Sequence, residues 1–342
     1  MFADDPEYPL DLACFYLDCG LPRDALSVLG EAGPEPRSPM YGYLAAFVAA
    51  ELGDQDLSVQ SARAAGQASP DRVFPSRLWE AIALRRHIEQ RPQDPKAKYF
   101  LGNFYFAHQR FVEAAALWDD ARRSLVDFDI IHRNLGMFAW LVEGNPARAI
   151  DWFEQALRIN PHNQDIYLEL DTLLREQGLR GKRVQLLRAM RDLHALREDL
   201  RKRKLSMLVD LGYADEALKL LTTEQFVPLE MDQSFHNLYV RALLQRAEAH
   251  LGAGGLEAAA QDYVAALDYP ENHGVGRPTT SGDAEVQYRL GCVYEKLGRY
   301  HQAIEAWKAA ASEHHRYGEA LHGFVLRSLD KLGRYGELGF DV

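Results

Sequence analysis

Cysteine is scarce: Cys14, Cys19 and Cys292 are the three in 342 residues. They form no Cys-x-x-Cys pair and leave an odd one over, which excludes a disulfide-stapled secreted scaffold and fits a reducing, cytoplasmic setting. No apolar run approaches the roughly 20 residues that cross a bilayer. The opening Met-Phe-Ala-Asp-Asp-Pro is acidic where a secretory leader would be apolar. Positive charge is in deficit: 39 Lys and Arg face 50 Asp and Glu, a net charge of −11. That balance argues against nucleic acid or an anionic membrane as partner. The one basic run, Arg197 to Lys204, is interrupted by Glu198 and Asp199 and reads as a solvated helix face. No segment sustains the alternation of a strand. Also missing are His-Glu-x-x-His, a phosphate-binding loop, a nucleophile elbow and any Cys/His zinc spacing. His314-His315 reads as a solvated pair near a helix end. No catalytic residue, metal or cofactor is therefore expected.

What is present is a recurring interval. Leu101-Gly102, Tyr105, Ala114, Trp118 and Ala121 return as Leu290-Gly291, Tyr294, Ala303, Trp307 and Ala310. Gly102 and Gly136 stand 34 residues apart, the period of tetratricopeptide arrays. Ala114 to Ala121, Ala149 to Ala156, Ala259 to Ala266 and Ala303 to Ala310 each span seven, two helical turns, so both alanines share a face. Small residues there let paired helices approach to roughly 8–10 Å, with Tyr105, Trp118, Phe153, Tyr294 and Trp307 filling the gaps beside them. Gly20, Gly53, Gly144, Gly212, Gly254 and Gly298 fall where first helices should end; Arg91-Pro92 and Asn160-Pro161 fall where second helices should end. The expected fold is all-α, a right-handed superhelical solenoid of tetratricopeptide-type hairpins running as one unit over 1–342. A last half-unit, Gly318 to Leu332, reads as a first helix with a stub after Arg334. A first hairpin that begins at once and a last one cut short fit a piece of a longer protein.

Departures from the repeat carry the candidate sites. Tyr269 to Asp283 holds two prolines and three glycines, too long for an ordinary connection. Gly274 and Gly276 permit turns that aim amides outward, with Arg277 beside them for an anion; a packing loop ahead of the next helix is the plainer reading. A second break spans roughly 223–232, where Pro228 favours an extended entry and Glu230 an N-terminal helix position. Asp171 stands where other units carry Gly or Ala, so it must find donors or stay hydrated. Arg133 and Asn134, with Asn103 one unit earlier, fall on first helices, which in such arrays line the concave face; solvated positions are the plainer reading. A clamp for a terminal carboxylate does not fit, because Asp165 and Glu169 stand where cations are needed and Tyr99 replaces a lysine.

Several stretches carry a further resemblance: Phe74-Pro-Ser-Arg-Leu78, Tyr99-Phe-Leu-Gly-Asn103, His132-Arg-Asn-Leu135, Glu169-Leu-Asp171, Phe226 with Pro228 and Glu230, and Tyr269-Pro-Glu-Asn272 with Gly274 and Gly276. With these the chain resembles the C-terminal tetratricopeptide region of a bacterial family whose longer members carry a mutarotase-like β-sandwich ahead of the repeats. The chain departs from that family at Leu229, where an aromatic is usual, and at Met231-Asp232-Gln233, where a Gly-rich acidic turn is usual; a ligand contact from that turn does not carry over. The resemblance implies a link to carbohydrate through the sandwich type.

Two functions follow as expectations. The first is a non-catalytic interaction scaffold that binds a protein partner, or the family's β-sandwich domain, on its concave face. The alternative is a carbohydrate-binding accessory region, with Glu230, Glu271, Asn272 and Arg277 walling a glycan cleft, and Glu230, Glu271 and Asp171 its candidate carboxylates.

Overall fold

The computed structural model describes residues 7–31, 38–190, 195–227, 232–278, 282–312 and 319–341. Among these residues there are eighteen α-helices, one 3-10 turn and no strand. The chain forms two compact units, Met1–Gln177 and Gly178–Val342.

The first unit contains α1 (Tyr8–Asp18), α2 (Pro22–Glu31), α3 (Pro39–Glu51), α4 (Gln55–Gln67), α5 (Leu78–Gln90), α6 (Pro95–Ala107), α7 (Phe111–Ala121), α8 (Asp129–Leu141), α9 (Pro146–Ile159) and α10 (Gln164–Glu176). The pairs α1/α2, α3/α4, α6/α7 and α8/α9 pack as hairpins, and α10 packs on α9. Polar side chains cap several of these helices. Asp54 accepts from the Leu57 amide at 3.0 Å, Asp94 from Lys96 and Ala97 at 3.0 and 3.1 Å, and Asn145 from Arg148 at 3.1 Å. The glycines that follow first helices, such as Gly53 (φ +84°) and Gly144 (φ +60°), adopt the left-handed conformation that ends a helix without a Cβ penalty.

The crossing of each hairpin shows why the interval recurs. A Cβ on Gly102 would lie 2.5 Å from Trp118 Nε1; one on Gly136 would lie 2.8 Å from Phe153 Cε1. In the second unit a Cβ on Gly291 would lie 2.6 Å from Trp307 Cδ1. Trp118 and Trp307 are buried, and each indole N–H donates to a backbone carbonyl nineteen residues back, Tyr99 and Tyr288, both at 3.3 Å. Glycine and tryptophan therefore form one fitted pair, repeated in both units.

One helix departs from the reading by pairs. Arg91-Pro92 does follow a helix, yet α5 is a single helix packed against α3 and α6, between two hairpins. It is held by Glu80, fully buried, which accepts from the Ser76 and Arg77 amides at 2.9 Å each.

The second unit contains α11 (Arg180–Ala189), α12 (Glu198–Asp210), α13 (Ala214–Thr223), α14 (Ser234–Gly252), α15 (Leu256–Ala265), a 3-10 turn at Glu271–His273, α16 (Ala284–Lys296), α17 (Tyr300–Ser312) and α18 (Glu319–Glu337). Here α12/α13, α14/α15 and α16/α17 pair, α11 packs on α12, and α18 lies against α16 and α17. The last helix ends at Glu337, and the short stretch after Arg334 packs on the preceding hairpin: Tyr335 is buried against Trp307, with ring centroids 5.4 Å apart, and Phe340 packs on Tyr335 at 5.2 Å. Gly318 and His314-His315 lie outside the described residues.

Candidate functional site

Three successive first helices of the first unit, α6, α8 and α10, carry a row of half-buried polar side chains. Asn103 follows the crossing Gly102, so its amide lies beside Trp118, whose Nε1 donates to Asn103 Oδ1 at 3.1 Å. Asn134, on the next first helix, donates through Nδ2 to the same oxygen at 3.2 Å. Asn103 Nδ2 in turn donates to the Val73 carbonyl at 3.5 Å. Beside this ladder Arg133 pairs bidentately with Glu169 of α10, its Nε donating at 2.9 Å and its Nη2 reaching the other oxygen. Burial, the larger effect, raises the Glu169 carboxyl above its ordinary range against the opposing pull of Arg133. The structure thus brings Asn103 and Asn134 together and sets Arg133 against Glu169. Asp171, two residues on, is fully buried in α10 and is not without partners.

The second group of predicted residues falls on the loop before α16. Asn272 Nδ2 donates to the carbonyls of Leu221 and Glu224 at 2.8 and 2.7 Å, while its own carbonyl accepts from the Phe226 amide at 2.9 Å. Buried His273 adds Nε2 to the Leu221 carbonyl at 2.9 Å. The Tyr-Pro-Glu-Asn segment therefore satisfies the open C-terminal carbonyls of α13. Tyr269 stacks on buried His236, with centroids 3.8 Å apart. Burial, then the nearby His273, holds His236 down to about 4, with Asp283 opposing. Arg277 donates to Asp283 at 2.6 Å, so its guanidinium meets a carboxylate of its own chain. Glu271 is exposed at the start of the 3-10 turn. Glu230, like Pro228, Leu229 and Met231, lies outside the described residues.

Two acids, half-buried Asp94 and buried Asp129, escaped the reading by spacing. Asp94 accepts from His87 at 2.9 Å and from the Tyr43 hydroxyl at 3.0 Å, and Asp129 accepts from Asn160 and Asn163 at 3.3 and 2.6 Å. Burial works to raise the Asp94 carboxyl, but the hydrogen bond from His87 and its other donors more than offset that and hold it below its ordinary range. Their signal was an acid at the start of a first helix: Asp94 caps α6, and Asp129 is the first residue of α8. Among the described residues no group of three or more His, Cys, Asp or Glu is placed to hold a metal ion, and no helix is long and apolar enough to cross a membrane. Cys14 is a buried core side chain, and burial, then Glu80, pushes its thiol up to about 12.

Stacked hairpins with small-to-aromatic crossings define a helical-repeat protein. Residues 284–317 match one family described as tetratricopeptide repeat, and residues 77–125 and 113–163 match a second of that description. Among solved structures the chain is similar to Naa15/Naa10 bound to HypK-THB, at 17% identity and TM-score 0.48, over 85% of this chain and 39% of that one. The chain thus spans about two fifths of that protein's length. It is also similar to YrrB, a TPR protein with an unusual peptide-binding site, at 18% identity and TM-score 0.31 over 73% of this chain and 99% of that one. PilF of Pseudomonas aeruginosa is similar at 19% identity and TM-score 0.37, over 76% of this chain and 96% of that one.

Proposed function

We propose that this chain is a non-catalytic interaction scaffold whose first unit binds an extended protein segment, or a partner domain, along α6, α8 and α10. The observation that supports it is the polar row itself: Asn103, Asn134 and the Arg133–Glu169 pair lie across three successive first helices, the elements that line the concave face in arrays of this kind. An extended backbone offers alternating N–H and C=O groups. Side-chain amides match both, and Asn134, which donates through Nδ2 to Asn103, keeps Oδ1 as an acceptor. The β-sandwich domain implied by the family resemblance is a partner of this reading, presenting strand edges or loops to the same row. No observation favours the carbohydrate reading, since Asn272 and Arg277 are engaged with Leu221, Glu224 and Asp283.

The test is titration calorimetry with peptides recovered from a random dodecapeptide library on the purified chain. Loss of one hydrogen bond at Asn134→Ala should weaken binding about fivefold, from a net contribution of about 1 kcal/mol. Peptides that bind Asn134→Ala and Arg133→Ala as well as the parent chain would remove the first-helix row from the interface.

A further inference from the structure

The start of α5 presents apolar side chains on a segment that is itself tightly held. Phe74 is 74% exposed and Leu78 68% exposed, yet Val73 and Pro75 beside them are buried. Arg72, a non-glycine residue at φ +56°, turns the chain into this segment. The Val73 carbonyl accepts from Asn103, and buried Glu80 takes the Ser76 and Arg77 amides. Exposed aromatic and aliphatic groups on a fixed backbone lose little conformational entropy on binding, which is the setting of an interface anchor.

Across from it runs one stripe of α1. Tyr8, Asp11, Phe15 and Asp18 follow one another at helical spacing, and Phe15 is 59% exposed. Two bridges fix this stripe to the start of α5: Arg77 donates to Asp11 at 2.5 Å and to Glu7 at 2.8 Å, and Trp79 Nε1 donates to Asp18 at 2.8 Å. Those bridges bracket Phe15 on one side and Leu78 on the other. The rim carries a surplus of acids: exposed Glu7, Asp11, Asp18 and Asp71 stand against Arg72 and Arg77, even with buried Glu80 left aside. Exposed apolar side chains beside a surplus of carboxylates favour a partner of opposite charge around an apolar anchor.

We propose that Phe74, Leu78 and Phe15 form a docking surface of the first unit for a partner segment bearing an apolar anchor flanked by lysine or arginine. This surface meets the amide row through the Asn103–Val73 hydrogen bond, but its test does not depend on that row. A random dodecapeptide library is selected in parallel on the full chain and on its Phe74→Ser variant, and sequences unique to the full chain are synthesised. Phe74 is largely exposed, so the variant should keep its thermal melt. The unique sequences should share a Phe, Leu or Trp beside basic residues. Their affinity should fall at least about tenfold in Phe74→Ser. It should fall about threefold in Asp18→Asn, which keeps the acceptor for Trp79 but removes the charge, and should weaken with added salt. Acidic or purely polar unique sequences, equal affinity for Phe74→Ser, or no unique sequence at all would overturn the proposal. So would a self-association of the chain that Phe74→Ser abolishes, which would assign the surface to a second copy.

Discussion

Replacing Gly102 with alanine sets two effects of opposite sign against each other. Helix propensity alone favours the substitution by about 1 kcal/mol, because glycine in a helix interior is the more costly residue. The crossing opposes it. The new Cβ would sit 2.5 Å from Trp118 Nε1 and 2.7 Å from its Cδ1, where ordinary contact is 3.4–4 Å. The indole has little room to retreat, being 2% exposed and donating to both Tyr99 and Asn103. Overpacking of this kind costs about 1–3 kcal/mol, and displacing the ring far enough to lose its hydrogen bonds adds about 1 kcal/mol. The net expectation is destabilisation by about 1–3 kcal/mol. Urea unfolding followed by far-UV circular dichroism should show a lowered midpoint at unchanged slope. In a Trp118→Phe background the same substitution should cost less, because the smaller ring leaves space. Gly333→Ala in α18 is the control: it is exposed, nothing lies within 4 Å of its added Cβ, and propensity alone should raise stability. A Gly102→Ala chain more stable than its parent would mean that the crossing has room for a Cβ.

Asn272→Ala removes two hydrogen bonds to the end of α13 and should destabilise the second unit by about 1–3 kcal/mol, with faster amide exchange near Leu221 to Glu224. Unchanged stability and exchange would mean that the loop does not hold α13. His236 ionises at about 4 in the fold against 6.5 when unperturbed. The unfolded chain therefore binds the proton first, and stability present above about pH 6.5 should be lost as pH falls toward 4, by up to about 3 kcal/mol. His236→Phe should flatten that part of the urea-midpoint profile between pH 7.5 and 4.5; an equally steep profile would locate the titration elsewhere.

The hairpin crossings were legible because they rest on residue size at fixed intervals: only glycine lets Trp118 and Trp307 lie so close, so spacing alone names the contact. The α5 departure was not legible, since Arg91-Pro92 ends a single helix with the same signal that ends the second of a pair. Asn103 and Asn134 were readable as residues on first helices, but their sharing of one oxygen depends on the offset between neighbouring helices, which spacing does not give. The Tyr-Pro-Glu-Asn loop was visible as a break, but not its role: hydrogen bonds to backbone carbonyls about fifty residues away leave no pattern in side-chain types. Phe74 was noticed only as part of a resemblance, because exposure of an aromatic in a loop cannot be told from burial by sequence.

If the first helices of the first unit receive an extended partner, a bound peptide lies along them. Photo-crosslinking with a selected peptide that carries a benzophenone, followed by mass spectrometry, tests it most directly. Crosslinks should fall within α6, α8 and α10, around Asn103, Asn134 and Glu169, and diminish in Asn134→Ala. Crosslinks confined to α7 and α9, or unchanged by that substitution, would contradict it.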